Sequence, residues 1–324
     1  MITRLMAADE AGNVSAATAE AAAHLSRGEI VGVPTETVYG LACDAMSTRA
    51  ASKVFSAKER PAFDPLIVHV EDGSWVGRLS SAEDEVLVLA EKLAAAFWPG
   101  PLTMVLPSRE VVPDLLRSGL PTVALRCSAH RVMASLLASF GGPVAAPSAN
   151  RFGRISPVTA KDVLDELEGR IPLVLDGGRC RHGLESTIVA VKKEGLVLLR
   201  PGPVTPEELR EFAPVDRPAE GEVVAAPGML ASHYAPRTPM RILPADEPSP
   251  DDSWSSGLLS FGPASSGFAQ TEILPEDPLE AAPLFFSALR RLDASGVQRI
   301  YARPIAESGL GIAIMDRLGR ASHG

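Results

Sequence analysis

The first part of the chain, from residue 15 to residue 212, alternates between helical spacing of apolar residues and short apolar runs. The segment AATAEAAAHLSR has helical spacing, can be capped by Ser15 and is closed by Gly28. The run EIVGVP that follows is typical of a buried strand. Ser80 and Glu83 form a capping-box pattern ahead of a helix in EVLVLAEKLAAAF. This alternation predicts an α/β domain.

The remaining pattern predicts a mixed sheet. Further helices are predicted in TRAASKVFSAK, RVMASLLASF and KDVLDELEG, and further strands in PLIVHV, LTMVLP, TVALR, PVAAP, PLVLD, STIVAV and LVLLRP. The strands are short and are separated by turns rich in glycine or proline. This favours an open twisted sheet with both parallel and antiparallel pairs over a purely parallel one.

A proline-rich zone divides the chain, since 11 of its 28 prolines fall between Pro201 and Pro250. Beyond it the pattern restarts with the strands MRILPA and GLLSFG, a helix that follows Asp277, and a final strand and helix. We therefore predict a catalytic domain over 12–212, a linker over 213–240 and a small α/β domain over 241–324.

Charge and cysteine content narrow the class of protein. A formal net charge of −9 and an isoelectric point near 5.3 argue against a protein that coats nucleic acid. The three cysteines, Cys43, Cys127 and Cys180, are far apart and suit a reducing compartment. No uncharged apolar run approaches the length of a membrane span. We expect a soluble, cytoplasmic protein with no membrane partner.

Candidate chemistry lies where the predicted strands and helices end. Lys58 and Arg60 end a helix, while Arg126 and Arg200 end strands. Hydroxyl-bearing residues occupy similar positions in PTETVYGL, PSANRFGRISP and GLESTIV. There is no P-loop motif. Several cations directed at one cavity of an acidic protein would nevertheless form an anion site able to hold a triphosphate.

Each of these residues also has an ordinary structural interpretation. Cations at a helix C-terminus, such as Lys58 and Arg60, stabilise the helix without any ligand. Arg126 at a strand end can be a solvated cation, and the threonines after the first strand can be caps. On the residues alone these alternatives stay open.

The ordered motifs PTETVYGL, KERPAFDPLIVH, WPGPLT, PSAN and GLESTIV, followed by LRPG, resemble the threonylcarbamoyl-AMP synthase family, which has a YrdC-type domain. APGMLASHYAP and AIMDRLGRA are similar to its longer, two-domain version. The resemblance implies an open twisted sheet around a concave basic site, joined by the linker to a small Rossmann-like C-terminal domain.

The resemblance also implies the reaction. L-threonine, bicarbonate and ATP, with Mg²⁺, would give L-threonylcarbamoyl-AMP and pyrophosphate. A downstream tRNA threonylcarbamoyltransferase would use the product to modify tRNA next to the anticodon. The carbamate of threonine would attack the α-phosphorus in line, and the site would act by positioning and charge stabilisation. Magnesium would bridge phosphate oxygens with few protein ligands, so no metal motif is expected.

Site residues follow from the resemblance position by position. L-threonine would be bound by Thr35, His69, Arg126, Ala146 and Ser186, with Arg126 on its carboxylate. Lys58 and Arg60 would act catalytically on the phosphates. The residues around ATP would be Lys58, Arg60, Asp64, Thr122, Ser148, Asn150, Ser156, Arg200 and Tyr234. Asp64 replaces the asparagine usual before "PL", and Phe152 replaces a smaller residue.

Two other hypotheses remain at this stage. One is a carbamoyl-adenylate enzyme of the hydrogenase maturation type, and the other is an RNA-binding module. The acidic charge disfavours the second, and no strong direct tRNA binding is expected. The linker segment APGMLASHYAP, with its Gly-Met-Leu step and the pair His233–Tyr234, is interpreted as a lid that covers the site and places Tyr234 on the nucleotide.

Overall fold

The computed structural model describes residues 2–8, 13–61, 63–218, 233–244, 247–264 and 266–323. The Gly-Met-Leu step of the predicted lid lies outside these residues, whereas His233 and Tyr234 lie within them. Within the described residues, eleven strands form one mixed sheet and four form a second, parallel sheet. This confirms the predicted fold class.

The large sheet contains strands β1 to β11: β1 (Arg4–Ala7), β2 (Val31–Val33), β3 (Gly40–Asp44), β4 (Ile67–His69), β5 (Leu102–Pro107), β6 (Thr122–Arg126), β7 (Val144–Ala145), β8 (Leu173–Asp176), β9 (Thr187–Lys192), β10 (Gly195–Arg200) and β11 (Val215–Asp216). Their order across the sheet is β1-β8-β2-β3-β7-β4-β6-β5-β9-β10-β11. The pair β4–β6 is parallel and aligns His69 with Arg126, while β7 runs antiparallel to β4. The register therefore brings the ends of β4 and β6 to one edge of the sheet.

Eight helices accompany the large sheet in the described residues: α1 (Val14–Ser26), α2 (Thr48–Lys58), α3 (Val76–Leu79), α4 (Asp84–Phe97), α5 (Asp114–Arg117), α6 (Arg131–Phe140), α7 (Ala160–Leu167) and α8 (Pro206–Arg210). Helices α1 and α6 pack together on one face, where Leu25 and Leu136 are fully buried with Val31 of β2. The rest of the core lies in a larger apolar cluster that includes α2 and α4.

The C-terminal unit has the sheet order β12-β15-β13-β14, with all pairs parallel. Its elements are β12 (Met240–Ile242), β13 (Gly257–Phe261), β14 (Gln270–Leu274), α9 (Pro278–Ala294), β15 (Ile300–Ala302) and α10 (Leu310–Ala321). Phe286 of α9 and Ile314 of α10 belong to the same apolar cluster as the core of the first domain. The two units therefore share a continuous packed interface.

Helix starts differ from prediction in two places. Asn13, not Ser15, caps α1, and its side chain accepts a hydrogen bond from the Ala16 amide at 3.0 Å. Glu83 precedes α4 without the predicted capping box, because the Ser80 hydroxyl donates to the Pro107 carbonyl at 2.9 Å and accepts from Ala82. Helix α7 does begin with a capping box, formed by Thr159 and Asp162.

Four strands, β1, β3, β11 and β14, were not predicted, and two of them change the picture of the large sheet. Residues of β1 pair with β8, so the large sheet begins at Arg4, before the predicted start of the domain at residue 12. β3 pairs antiparallel with β2, so the motif PTETVY is the connection of a hairpin rather than an open loop. Among the described residues, no helix is long and apolar enough to cross a membrane.

Candidate active site

A small cavity of about 40 Å³ lies where β4 and β6 end, beside the hairpin connection of β2 and β3. It is lined by Thr35, Thr37, Val38, Gly40, Arg60, Ile67, His69, Arg126, Ala146, Pro147, Ser148, Glu185, Arg200, His233 and Tyr234. Eight of the residues predicted from the sequence are in this lining: Thr35, Arg60, His69, Arg126, Ala146, Ser148, Arg200 and Tyr234. The sheet therefore gathers residues that are up to 199 positions apart in the chain.

The hairpin connection owes its shape to Thr35. The Thr35 hydroxyl accepts hydrogen bonds from the amides of Thr37 and Val38 at 3.1 and 3.2 Å, and it donates to the Val38 carbonyl at 2.6 Å. Such local side-chain bonds fix tight turns. Thr35 is therefore held in place at the cavity wall, where its hydroxyl is almost fully buried.

Arg126 meets a carboxylate that was not assigned from the sequence. Its Nη2 lies 2.6 Å from Glu36 Oε1, and both side chains are buried. Ser128 also donates a hydrogen bond to Glu36. Burial raises the pKa of Glu36, but the charge of Arg126 and these hydrogen bonds outweigh it and lower the pKa to about 2. An incoming carboxylate would therefore share Arg126 with an ionised Glu36.

The loop WPGPLT supports Arg126 from the other side. The Gly100 carbonyl accepts a long hydrogen bond from Arg126 Nε at 3.4 Å, and the Gly100 amide donates to the Cys127 carbonyl at 2.7 Å. The Trp98–Pro99 peptide bond in this loop is cis. Arg126 is thus fixed between two backbone segments rather than solvated, which decides between the two interpretations left open by the sequence.

His69, at the end of β4, is a neutral imidazole. Burial and then the charge of Arg126 lower its pKa to about 3. Its Nδ1 atom is buried and has no hydrogen-bond partner among the described residues. Buried polar atoms are normally paired, so an unpaired one in a cavity wall is suited to contact a ligand.

Arg60 is buried rather than exposed in its loop. Its Nε donates to the Asp64 carbonyl at 3.0 Å, and its Nη2 donates to the Pro65 carbonyl at 2.8 Å. The Asp64 carboxylate lies 2.8 Å from the same Nη2 and is fully buried. The structure therefore holds Arg60 at the cavity by the backbone of the loop that follows it.

Lys58 lies behind the cavity and not in its wall. Its Nζ donates hydrogen bonds of 2.5 Å to the carbonyls of Ser148 and Asn150. Burial, and then the nearby charge of Arg60, lower the pKa of Lys58 well below its usual value. In this arrangement Lys58 fixes the PSAN loop, which carries Ser148 into the cavity wall.

The PSAN loop is braced by its own polar residues. Asn150 Nδ2 donates to the carbonyls of Arg151 and Arg154 at 2.7 and 2.9 Å. Ser156 donates to Glu185, a cavity residue that was not assigned from the sequence although it directly precedes Ser186. Asn150 and Ser156 thus shape the wall from outside the lining.

Arg200 and Ser186 act as a pair. Arg200 donates from Nε to the Ser186 carbonyl at 3.0 Å and from Nη2 to its hydroxyl at 3.1 Å. The Ser186 hydroxyl also lies 2.7 Å from that of Thr103. Ser186 therefore orients Arg200 toward the cavity.

Thr122 lies farther away. It begins β6, whereas Arg126 ends it, and four residues of strand span about 13 Å. Thr122 lines a second, minute cavity together with Pro65 and Leu66, on the far side of the loop that holds Arg60. The structure does not bring Thr122 into the main cavity.

The described part of the linker closes the cavity. The His233 ring stacks edge-on against Tyr234 with centroids 4.2 Å apart and lies 5.8 Å from Phe152. The Ala235 amide donates to the Gly153 carbonyl at 2.7 Å. Tyr234 is 1% exposed and adopts a left-handed backbone conformation with φ of 63°. Phe152, the departure noted in the sequence, therefore provides a surface for the linker histidine.

Helix α10 reaches the same place from the C-terminal unit. The guanidinium carbon of Arg317 lies 5.4 Å from the centre of the Tyr234 ring, a cation–π geometry. Its Nε lies 3.2 Å from Glu185, and its Nη1 donates to the Pro201 carbonyl at 2.7 Å. The C-terminal unit thus contacts both a cavity residue and the linker residue that covers the cavity. Arg317 belongs to the motif AIMDRLGRA, but no role was assigned to it from the sequence.

The cavity in this form is too small for a nucleotide, since ligand pockets typically measure about 300–1,000 Å³. His233 and Tyr234 fill part of the space between the cations. The structure therefore shows the site covered by its own linker.

Buried cations and hydroxyls at the strand ends of an α/β sheet are typical of enzymes that act on anionic substrates by charge stabilisation. Comparison with known families specifies the class. Residues 23–202 match the Sua5/YciO/YrdC family model, described as "Telomere recombination". Residues 204–323 match "Threonylcarbamoyl-AMP synthase, C-terminal domain".

Relatives that match over most of the chain indicate the same family. The chain is 37% identical over 320 residues to threonylcarbamoyl-AMP synthase of Pyrococcus abyssi, covering 93% of both chains. It is 36% identical over 337 residues to the Bacillus subtilis enzyme of that name, covering 98% of this chain and 96% of the other. The chain belongs to the threonylcarbamoyl-AMP synthase family, and its activity is the nucleotidyl transfer that makes threonylcarbamoyl-AMP.

Two solved structures of P. abyssi Sua5 share the fold. A complex with L-threonine superposes with a TM-score of 0.89 at 35% identity, covering 99% of this chain and 98% of the other. A variant in which a neighbouring histidine and tyrosine are both alanine gives a TM-score of 0.90 at 34% identity, covering 99% and 97%. Of the three hypotheses drawn from the sequence, family membership supports the first.

Proposed function

We propose that the two ends of the cavity bind different substrates. L-threonine occupies the end formed by Thr35, His69, Arg126 and Ala146, and ATP occupies the end formed by Arg60, Ser148, Arg200 and Tyr234. Bicarbonate joins them, and the products are L-threonylcarbamoyl-AMP and pyrophosphate. The observation that carries the proposal is the gathering of these residues in one cavity wall.

The threonine end offers one group for each polar part of the amino acid. Arg126 is a fixed guanidinium suited to a carboxylate. His69 Nδ1 is an unpaired acceptor for the ammonium or hydroxyl, and Thr35 is a hydroxyl held in a turn. Ser186 is not in the cavity lining and holds Arg200 of the nucleotide end, so we assign it the role of orienting that cation rather than that of binding threonine.

The nucleotide end provides positively charged side chains. Arg60 and Arg200 converge on the cavity, and Lys58 holds the loop that presents Ser148. Charge-assisted hydrogen bonds of this kind contribute about 1.5–3 kcal/mol each. Asn150 and Ser156 support the same loop, and Asp64 and Thr122 flank the segment that holds Arg60.

The positions of the bound substrates then determine the reaction. The threonine amine and bicarbonate form a carbamate beside Arg126 with loss of water, and a carbamate oxygen attacks the α-phosphorus in line as pyrophosphate leaves. Buried cations stabilise the charge that develops on the phosphoryl oxygens, because the surroundings exclude water. Magnesium would enter with the nucleotide substrate and would help to neutralise the phosphate charge.

The linker must move for this cycle to run. With His233 and Tyr234 in place the cavity holds no nucleotide, so they withdraw when ATP enters and return over it. Burial, and then the charges of Arg60, Lys58 and Arg200, lower the pKa of His233 well below its usual value, so it adds no further positive charge to the site.

The product is then passed to a downstream tRNA threonylcarbamoyltransferase in the cytoplasm, and the chain itself needs no tight contact with tRNA. A net charge of −9 is consistent with this division of labour.

The direct test is a product assay. Purified protein is incubated with ATP, magnesium, L-threonine and isotopically labelled bicarbonate, and products are followed by mass spectrometry and pyrophosphate release. We expect labelled threonylcarbamoyl-AMP, with pyrophosphate formed only when threonine and bicarbonate are both present. Pyrophosphate release that is unaffected by leaving out threonine would contradict the proposal.

A further inference from the structure

Asp64 is a buried carboxylate that the reaction described above does not use. Its side chain is fully buried, and neither of its oxygens accepts a well-aligned hydrogen bond from the described residues. Its neighbour Arg60 Nη2, 2.8 Å away, directs its hydrogen bond to the Pro65 carbonyl instead. Asp64 therefore meets Arg60 as a charge and not as a hydrogen-bond acceptor.

Its surroundings are mostly cationic. Lys58 at the end of α2, Arg60 in the same loop and Arg200 at the end of β10 all act on its charge. The linker contributes His233 and Tyr234, which lie near the same cations. Helix α5 packs on the other side through the Leu66 amide, and its Arg117 and Asp114 are paired with each other.

In the covered site, Asp64 balances these cations. Burial raises the pKa of Asp64 above its usual value, and the charges of Arg60, Lys58 and Arg200 offset only part of that rise. A triphosphate brought to Arg60 and Arg200 would place several negative charges close to this carboxylate and would occupy the cations that now stabilise its ionised form. An ionised Asp64 would then lie buried beside phosphate without cations to balance its charge, and this is unfavourable in free energy.

We propose that Asp64 takes up a proton from solvent when ATP binds, so that Arg60 exchanges its buried carboxylate partner for a phosphate. The inference rests on the proposed ATP site. In chemical terms a solvent proton bonds to a carboxylate oxygen of Asp64 on ATP binding and returns to solvent when pyrophosphate leaves. Asp64 thereby makes nucleotide affinity depend on pH.

A metal ion fits this position less well than a proton. Magnesium requires octahedral coordination and keeps several waters, whereas the Asp64 side chain has no exposed surface. It would also lie against Arg60, Lys58 and Arg200, which repel a cation. A proton neutralises the carboxylate without needing space.

The test is calorimetric titration of the full chain with α,β-methylene-ATP and magnesium near pH 8, without threonine. Running it in three buffers of different ionisation enthalpy gives the number of protons taken up. We expect wild-type protein to take up more protons than Asp64→Asn, by up to about one per nucleotide. The asparagine variant keeps the shape of the side chain and any proton exchange by the nucleotide or His233. Asp165→Asn, on the exposed face of α7, is the matched control and should behave as wild type.

Affinity gives a second readout that does not need the variant to fold. Wild-type affinity for the analogue should fall as pH rises. The fall should be up to about tenfold per pH unit between the pKa of Asp64 in the empty site and its pKa in the occupied site. Asp64→Asn should show a flatter profile and bind more tightly at the alkaline end. Binding of L-threonine by Asp64→Asn reports that the variant is folded.

Three results would overturn the inference. Equal proton uptake by wild type and Asp64→Asn would do so, as would a wild-type affinity that does not change with pH. If the difference in analogue binding between wild type and Asp64→Asn depends on magnesium concentration and not on the buffer, Asp64 contacts the metal ion. Absence of analogue binding to wild-type protein would instead contradict the nucleotide site itself.

Discussion

The two ends of the cavity are built in different ways. The end proposed to bind threonine is made by the large sheet alone: His69 and Arg126 end neighbouring parallel strands, and Thr35 lies in the hairpin connection of β2 and β3. The nucleotide end combines cations held by loops with Tyr234 of the linker, which in turn packs on Phe286 and Arg317 of the C-terminal unit. One end is complete within the first domain, and the other depends on three parts of the chain.

This difference indicates a purpose for the C-terminal unit. Arg317 is fully buried and joins Glu185 of the cavity to the ring of Tyr234. Helix α10, whose Arg317 lies 132 positions after Glu185, thus contacts the linker residue that covers the proposed nucleotide end. Substitutions that separate the two ends test this interpretation.

The largest effect is expected for Arg60→Ala made together with Asp64→Asn. Arg60 is buried beside Asp64, so the single substitution would leave an uncompensated carboxylate and destabilise the fold, contrary to what a loop position suggests. In the double variant we expect kcat/KM for ATP to fall at least about 100-fold relative to Asp64→Asn, because a phosphate-stabilising cation is lost.

L-threonine affinity should not change in that variant. It is measured by calorimetry alongside the ATP kinetics. Near-normal ATP kinetics would mean that Arg60 has only a structural role at the end of α2.

A larger share of the residues assigned to threonine than of those assigned to ATP lies in the cavity wall, although the assignments themselves stay predictions. His69 and Arg126 end apolar runs recognisable as strands, and a parallel pair brings such ends together. Glu36 was noted in its motif but not as the partner of Arg126, because pairing between residues 90 positions apart leaves no local pattern. Arg317 lies in an amphipathic helix, where an arginine normally faces solvent.

The secondary structure was also predicted correctly in some places and missed in others. Helix α2 matches its predicted limits, Thr48–Lys58, because Ser47 and the basic C-terminus mark both ends. The strand β3 was missed because GLACD has few β-branched or aromatic residues, and it is stabilised by pairing on both sides instead. The domain limits and the assignments of individual residues to substrates stay predictions.

An intermediate effect is expected for Arg317→Met. Losing the contact with Tyr234 and Glu185 should raise KM for ATP about tenfold, equivalent to about 1.4 kcal/mol. L-threonine affinity should remain that of wild type, since the threonine end does not contact α10. A general loss of stability would weaken both ligands together.

Arg291→Met is the matched control for this variant. Arg291 lies on α9 of the same unit, pairs with Glu272 and is not in the lining of the main cavity. Arg291→Met should leave both KM for ATP and L-threonine affinity unchanged.

The smallest effect concerns pH. Glu36 has a pKa lowered to about 2, so its pairing with Arg126 is lost only as pH falls toward 2. His69, with a pKa lowered to about 3, gains a charge only below that value. L-threonine affinity should therefore be flat between about pH 5 and pH 8, where an ordinary histidine would titrate. Calorimetric titration across that range checks it, and a decline centred near pH 6 would show that His69 is accessible to protons.

The most direct test of the difference between the two ends is the affinity of Tyr234→Ala for each substrate, measured separately by calorimetry with L-threonine and with α,β-methylene-ATP. Tyr234 covers the nucleotide end and makes its ring contacts with the linker and the C-terminal unit. The predicted result is unchanged L-threonine affinity with analogue affinity about tenfold weaker. Equal loss of both affinities, or loss of neither, would contradict the account.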